Sequence, residues 1–97
     1  MKIFLEKFGT TLISRQTGRE AFAALQPQLD GLEEGEVLEI DFDGVITFSP
    51  SWGDEFLSPL AKKYGARLML MNTTNPSVKA TLELLAEINE IPFDIVS

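Results

Sequence analysis

The sequence predicts an α/β fold, a mixed and mostly parallel sheet of about four strands covered by about three helices. Two observations lead to this prediction. Short apolar segments with the composition of strands alternate along the chain with longer segments whose apolar residues recur every three or four positions. The chain has 97 residues and 44% hydrophobic content, which suits one compact domain spanning residues 1–97.

The first strand and the first helix follow from the pattern near the start of the chain. Residues 2–8 alternate apolar and charged side chains, which predicts a half-buried strand that ends at Gly9. The segment Thr17-Gly-Arg-Glu20 fits a capping box, and it precedes one helical face formed by Phe22, Leu25, Leu29 and Leu32. Pro27 predicts a kink in this helix or an early end near Gln26, because proline removes one amide donor.

The clearest strand covers residues 36–41, an aliphatic run that we expect to be buried on both faces. Asp43-Gly44 predicts a turn after it, and residues 45–48 predict a short extension of the strand.

The second helix is predicted over residues 50–64, where apolar and aromatic side chains recur at helical spacing. Ser49 has the side chain of a helix N-cap, and Pro50 suits the first helical position. Pro59 predicts a bend, and Gly65 predicts the end of the helix.

The remaining elements are a strand over residues 67–71, a third helix that starts at Asn75-Pro76, and a short strand over residues 93–96. Right-handed crossovers between parallel strands place loops at the carboxyl ends of the strands, where ligands and partners bind in open α/β sheets. These loops are residues 42–51 and 72–77, and both are rich in hydroxyl and amide groups.

Composition excludes several functions. The net charge of −7 disfavours binding to nucleic acid or to anionic membranes. Because the chain contains no cysteine and no histidine, it lacks thiol chemistry and the usual ligands of a zinc site. No segment approaches the ~20 apolar residues of a membrane span. We therefore expect a cytoplasmic protein that is not an enzyme and has no cofactor or metal.

Several motifs together resemble a known family. The order and spacing of Gly9-Thr-Thr, Asp41-Phe-Asp-Gly-Val45, Ser49-Pro-Ser51 and Asn75-Pro-Ser-Val-Lys79 resemble those of STAS domains. More closely, the chain is similar to the STAS-like domain family of unknown function in three motifs, Ser14-Arg15, Gly18-Arg19 and Ser49-Pro-Ser-Trp-Gly-Asp-Glu-Phe56.

This resemblance implies a regulatory, anti-anti-sigma-like domain whose partner is a histidine-kinase-like ATPase or a transcriptional regulator. Ser51 matches the serine that such an ATPase phosphorylates in anti-anti-sigma factors. Ser49 stands where those factors usually have an aspartate two residues earlier, and Trp52 stands where they usually have a glycine. The interaction surface that we predict comprises Asp43, Ser49, Ser51, Trp52, Asp54, Glu55, Asn72, Thr73, Thr74 and Asn75.

Structural roles are alternatives for most of these residues. Ser49 and Ser51 suit the start of a helix for capping alone, and Trp52 suits a hydrophobic core. Asp54 and Glu55 in a first helical turn would stabilise the helix dipole, and as neighbours they should not share one helical face.

Two arginines and one acidic motif have more than one interpretation. Arg15 and Arg19 either form ion pairs with Glu20 or Asp30, or they face a partner. Asp41-Phe-Asp43 also resembles the first motif of haloacid-dehalogenase-like phosphatases, but the chain is too short for that fold with its cap, and an Asp-Gly turn is the simpler explanation. Small-ligand or nucleotide sensing at the strand ends is the alternative to protein binding, and a homodimer could form through an exposed sheet edge.

Overall fold

A four-stranded parallel sheet is the centre of the fold in the computed structural model, which describes residues 1–71 and 73–89 and the backbone of residues 94–96. Its strands stand in the order β1-β3-β5-β6, and a separate pair of short parallel strands, β2 and β4, lies beside them. The six strands are β1 (Lys2–Phe4), β2 (Thr11–Leu12), β3 (Leu38–Asp41), β4 (Thr47–Phe48), β5 (Leu68–Met71) and β6 (Asp94–Val96). The three helices are α1 (Arg15–Leu29), α2 (Pro50–Tyr64) and α3 (Pro76–Asn89).

The order of the strands explains where the helices lie. Each crossover moves one strand further in the same direction, so right-handed connections place all three helices on one face of the sheet. The core lies between the two layers, and alternate strand residues enter it. Leu38 and Ile40 of β3 are buried, whereas Glu39 and Asp41 are only half-buried on the opposite face. The prediction that both faces of this strand are buried is therefore wrong.

The first strand is shorter than predicted because a 3-10 turn over Leu5–Phe8 replaces its second half. This turn buries Leu5 completely and brings the ring of Phe8 to 5.5 Å from that of Phe56. Gly9 ends the turn with a φ of 128°, a conformation that favours glycine. The next strand, β2, has only two residues, which is too short to show any periodicity in the sequence.

The first helix begins earlier and ends later than its motifs predict. Ser14 is the N-cap, since its Oγ accepts a hydrogen bond of 3.1 Å from the backbone N–H of Thr17. The capping box predicted at Thr17 is therefore wrong. The helix continues through Pro27 to Leu29, so the early end near Gln26 is also wrong. Proline removes only one hydrogen bond, and it does so in the last turn.

The second and third helices start as predicted, with capping side chains from Ser49 and Asn75 followed by proline. Gly65 ends α2 with a φ of 56°. The extension predicted over residues 45–48 does form a strand at Thr47–Phe48, but this strand pairs with β2 instead of prolonging β3. The predicted strand over residues 93–96 is present at Asp94–Val96, and Phe93 lies outside the described residues.

Candidate interaction surface at the carboxyl ends of the strands

The loops before β2, after β3 and after β5 are tied together at one end of the molecule. The backbone carbonyl of Thr10 accepts hydrogen bonds from the N–H groups of Ile46 at 2.8 Å and of Thr47 at 3.1 Å. Asn75 Nδ2 donates to the carbonyls of Val45 at 2.8 Å and of Ile46 at 3.0 Å. This end therefore has a defined shape, although its backbone is not in regular sheet.

Ser49 has a structural role at the start of α2. Its Oγ accepts from the N–H of Trp52 at 3.2 Å and donates to the carbonyl of Ile13 at 2.7 Å. Its own N–H donates to the carbonyl of Leu12 at 2.9 Å. One serine thus caps α2 and joins that helix to the residues immediately before α1.

Ser51 is the second residue of α2 and is half-buried. Residues three and four positions apart lie on the same face of a helix, so Ser51 shares its face with Asp54 and Glu55. The serine that matches the STAS phosphorylation position is therefore next to the charged residues of α2.

Trp52 belongs to the core. Only 1% of its surface is exposed, and its ring stacks on Phe56 with the centroids 4.9 Å apart. The ring of Phe48 lies 5.7 Å away in an edge-on arrangement. Its backbone also contacts α1, because a Cβ placed on Gly18 would lie 2.6 Å from the Trp52 carbonyl oxygen. The prediction that Trp52 is part of an exposed interaction surface is corrected by this burial.

Asp54 and Glu55 bind the two arginines of α1. Arg15 Nη1 lies 3.0 Å from Asp54 Oδ2 and 3.0 Å from Glu55 Oε1, and Arg19 Nη2 lies 3.5 Å from the same Glu55 oxygen. The sequence left open whether the arginines pair with Glu20 or Asp30 or face a partner; they do form ion pairs, but with Asp54 and Glu55, and so join α1 to α2. Arg15 has a long side chain, and its guanidinium contacts the carboxylates of both Asp54 and Glu55. The adjacent positions of these two acids in the sequence did not indicate a shared contact.

These contacts shift the pKa values of Arg15, Asp54 and Glu55. The hydrogen bond from Arg15 is the largest cause that holds the pKa of Asp54 below its usual value of 3.8 and that of Glu55 below 4.5. The same hydrogen bonds, which Arg15 donates to Glu55 (the larger effect) and to Asp54, raise the pKa of Arg15. Because α2 begins at Pro50, both acids lie beyond its first turn, and the predicted role at the helix dipole is replaced by ion pairing across the helices.

Asn75 uses its whole side chain to organise the loop before α3. Its Oδ1 accepts from the N–H groups of Ser77 at 2.8 Å and Val78 at 3.3 Å, which caps the helix. Thr73 Oγ1 accepts from the Asn75 N–H at 3.1 Å. Thr74 is exposed, whereas Asn72 lies outside the described residues. Among the described residues of this predicted set, Thr73 and Asn75 are half-buried and Thr74 is exposed.

Sequence analysis missed the residues that hold β4 against α3. Ser77 Oγ accepts from the N–H of Phe48 at 3.0 Å, and Thr81 Oγ1 donates to its carbonyl at 2.5 Å. β4 pairs with β2, and these two hydroxyls bind the backbone N–H and carbonyl of Phe48 as a second neighbouring strand would. The only sequence signal was a serine and a threonine four positions apart on one helical face.

The Asp41-Phe-Asp43 segment forms a turn. Asp41 Oδ1 accepts from the N–H of Asp43 at 2.8 Å, and its other oxygen lies 3.6 Å from Lys2 Nζ. The N–H of Val45 closes the turn on the carbonyl of Phe42 at 3.0 Å, and Gly44 has a φ of 86°. Within residues 1–71 and 73–89, no three acidic side chains are grouped so that they could hold a metal ion. Asp43 is exposed beside the turn.

A groove of about 510 Å³ lies between this turn and the loop before α3, and it is open to solvent. Its walls are residues 42–46 and 73–76. A smaller depression of about 220 Å³ adjoins it, between the two aspartates of the turn and the hydroxyls of Thr73 and Thr74.

Two isoleucines of this region are exposed. Ile13 is 52% exposed and Ile46 is 66% exposed. The backbone carbonyl of Ile13 accepts from Ser49 Oγ just after β2, whereas Ile46 lies just before β4 with its N–H bonded to the Thr10 carbonyl. Their exposure was not evident from the sequence, because both occur in apolar segments that indicate core.

The described helices lack the length and apolar character needed to cross a membrane. A family profile, described as the STAS-like domain of unknown function (DUF4325), matches residues 25–78. Comparisons with curated proteins and with solved structures gave no significant match. The matched segment includes β3, β4, α2, β5 and the start of α3, which carry the strand-end loops described above. Since it covers more than half of the 97 residues, the chain belongs to the STAS-like domain family of unknown function.

Proposed function

We propose that this chain is a non-enzymatic regulatory domain that binds another protein through its strand-end surface, defined here as Ile13, Asp43, Ile46, Ser51 and Thr74. The observation that carries the proposal is the exposure of Ile13, whose carbonyl accepts from the α2 cap Ser49, and of Ile46, which lies in the loop before β4. Exposed apolar side chains with a polar rim are typical of protein interaction sites. Hydrogen bonds fix the loops that carry them, so the surface is ordered before a partner arrives.

The kind of partner follows from charge and from the family. The chain has a net charge of −7, which favours a partner with a basic contact surface and accelerates their association. Membership in a STAS-like family makes a histidine-kinase-like ATPase or a transcriptional regulator the first partner to test.

Phosphorylation of Ser51 is the regulatory step that we propose for this surface. A phosphate would add about −1.5 to −2 charge at the start of α2, where the helix dipole favours negative charge. It would also change the charge of the surface that the partner contacts. Phosphorylation would thereby control binding without any rearrangement of the fold.

Binding measurements with purified candidate partners test the proposal. Ile46→Asp should weaken binding by about tenfold or more, since it places a charge in an apolar contact. Ile88→Asp is the matched control, because Ile88 is also an exposed isoleucine but lies in the last turn of α3, away from the loop that precedes this helix. Equal affinities of the wild type and the Ile46→Asp variant for a partner that binds would contradict the proposed surface. Trp52→Ala is unsuitable for this purpose, because Trp52 is buried.

The groove between residues 42–46 and 73–76 supports a second candidate, sensing of a small ligand. Its volume of about 510 Å³ is within the range of ligand pockets, and threonine hydroxyls and Asp43 supply polar groups. A thermal-shift screen with nucleotides and phosphorylated metabolites separates the two functions. Saturable stabilisation by one compound, lost in Thr74→Val, would favour sensing over protein binding.

A further inference from the structure

We propose that Arg15 senses the charge at position 51 and that it couples a phosphate on Ser51 to the contact between α1 and α2. This inference rests on the proposed function, since it concerns the consequence of modifying the same surface. It assigns to Arg15 the role of a positioning residue, which no feature of the sequence indicated.

Two independent contacts bring Arg15 close to Ser51. Ser49 Oγ donates a hydrogen bond of 2.7 Å to the Ile13 carbonyl. Ile13 lies two residues before Arg15, and Ser49 lies two residues before Ser51. The Arg15 guanidinium also lies 3.0 Å from a carboxylate oxygen of Glu55, which is one helical turn after Ser51 on the same face of α2.

The cluster around Arg15 is balanced in charge before modification. Arg15 and Arg19 supply two positive charges, and Asp54 and Glu55 supply two negative charges. A phosphate on Ser51 would add a third anionic group within reach of the same guanidinium. Arg15 would then be shared between the phosphate and the two carboxylates.

The arrangement of these charges determines how Arg15 changes the cost in stability of a negative charge at position 51. With Arg15 present, the new charge has a counter-ion and the contact between the helices remains. Without Arg15, the new charge lies beside two carboxylates, and the weaker contact of Arg19 with Glu55, at 3.5 Å, remains to oppose their repulsion together with Lys62 near Asp54. The cost of a negative charge at position 51 should therefore depend on Arg15.

A double-mutant cycle on the isolated chain measures this dependence. The variants are Ser51→Asp, Arg15→Gln and their combination, compared by urea unfolding at low salt. Ser51→Asp should lower the folding equilibrium constant about two- to fivefold more in the Arg15→Gln background than in the wild type, as expected for exposed charge pairs. The difference should shrink at 1 M salt, because exposed charges are screened.

A matched control uses Lys7→Gln, which removes a positive charge that lies 3.2 Å from Gln28 and outside the cluster. Chains that carry phosphoserine at position 51 provide a second measurement, with the same expected dependence on Arg15. A coupling of zero in both measurements, or an equal coupling to Lys7→Gln, would overturn the inference. These experiments need no partner, so their failure would be distinct from a failure of the Ile46→Asp binding test.

Discussion

Gly18→Ala is the substitution whose effect the structure defines most sharply. Gly18 lies in α1 where this helix crosses α2, and an added Cβ would be 2.6 Å from the Trp52 carbonyl oxygen and 3.0 Å from its Cα. Ordinary contacts of a Cβ begin near 3.4 Å. Because the atoms in the way belong to backbone, no side-chain rotation can relieve the overlap, and the two helices must move apart.

Two opposing effects determine the magnitude. Alanine stabilises a helix interior by about 1 kcal/mol relative to glycine. Overpacking a tight contact costs about 1–3 kcal/mol, and a contact with backbone belongs at the upper end of that range. We therefore expect a net loss of about 2 kcal/mol in the free energy of unfolding, which corresponds to roughly 10 °C in Tm for a domain of this size.

Urea unfolding of three alanine variants tests this reasoning. At Gly53, an added Cβ would lie 2.8 Å from Leu85 Cδ1, a side-chain atom that can move, so Gly53→Ala should cost less than Gly18→Ala. Gly31→Ala is the control, since its nearest neighbour would be the Gln28 carbonyl at 3.5 Å and its stability should be unchanged or slightly increased. A Gly18→Ala variant as stable as the wild type would refute the close crossing of α1 and α2.

Three further predictions concern the core, the loop before α3 and the ion cluster. Trp52→Ala should lower the free energy of unfolding by about 3–5 kcal/mol, measured by urea unfolding, because it empties a buried stack of rings. Asn75→Ala should cost about 2 kcal/mol by the same measurement through the lost cap and the lost bonds to two carbonyls, while Thr74→Ala should change it little. Arg15 lowers the pKa of its two carboxylate partners, so its stabilising effect is complete above about pH 5, begins to decline as the pH falls below the ordinary values of 4.5 and 3.8, and is lost as the pH falls through the lower pKa values of the folded state. The stabilities of the wild type and Arg15→Gln should therefore converge in acid, and a constant difference from pH 7 to pH 3 would contradict the ion pairing.

The motifs that carry the family resemblance were recognisable in the sequence, but their roles were not. Arg15 and Gly18 lie far along the chain from Trp52 and Asp54, and all four meet where α1 packs on α2. Local patterns identify a cap or a helix start within a few residues. They do not identify the partner of a charged or small residue on another element, because that choice depends on how two helices are placed.

The exposed isoleucines illustrate a similar limit. Ile13 and Ile46 occur in segments as apolar as the strands, and only the position of the segment at the end of the sheet leaves them exposed. Conversely, the sequence of the first turn of α2 suits Trp52 for a contact surface or for the core, and the rings of Phe8, Phe48 and Phe56 pack around it in the core. Periodicity reports which face of an element is apolar, and it does not report whether another element covers that face.

By itself, the sequence determined the alternation of strands and helices, the parallel α/β architecture and the starts of α2 and α3, because these depend on side-chain periodicity and on caps a few residues long. Only the tertiary structure decided that Trp52 is core, that Arg15 binds Asp54 and Glu55, and that two isoleucines remain exposed at the strand ends. Those outcomes depend on contacts between residues that are more than thirty positions apart in the sequence. Such contacts form only when the helices pack on the sheet.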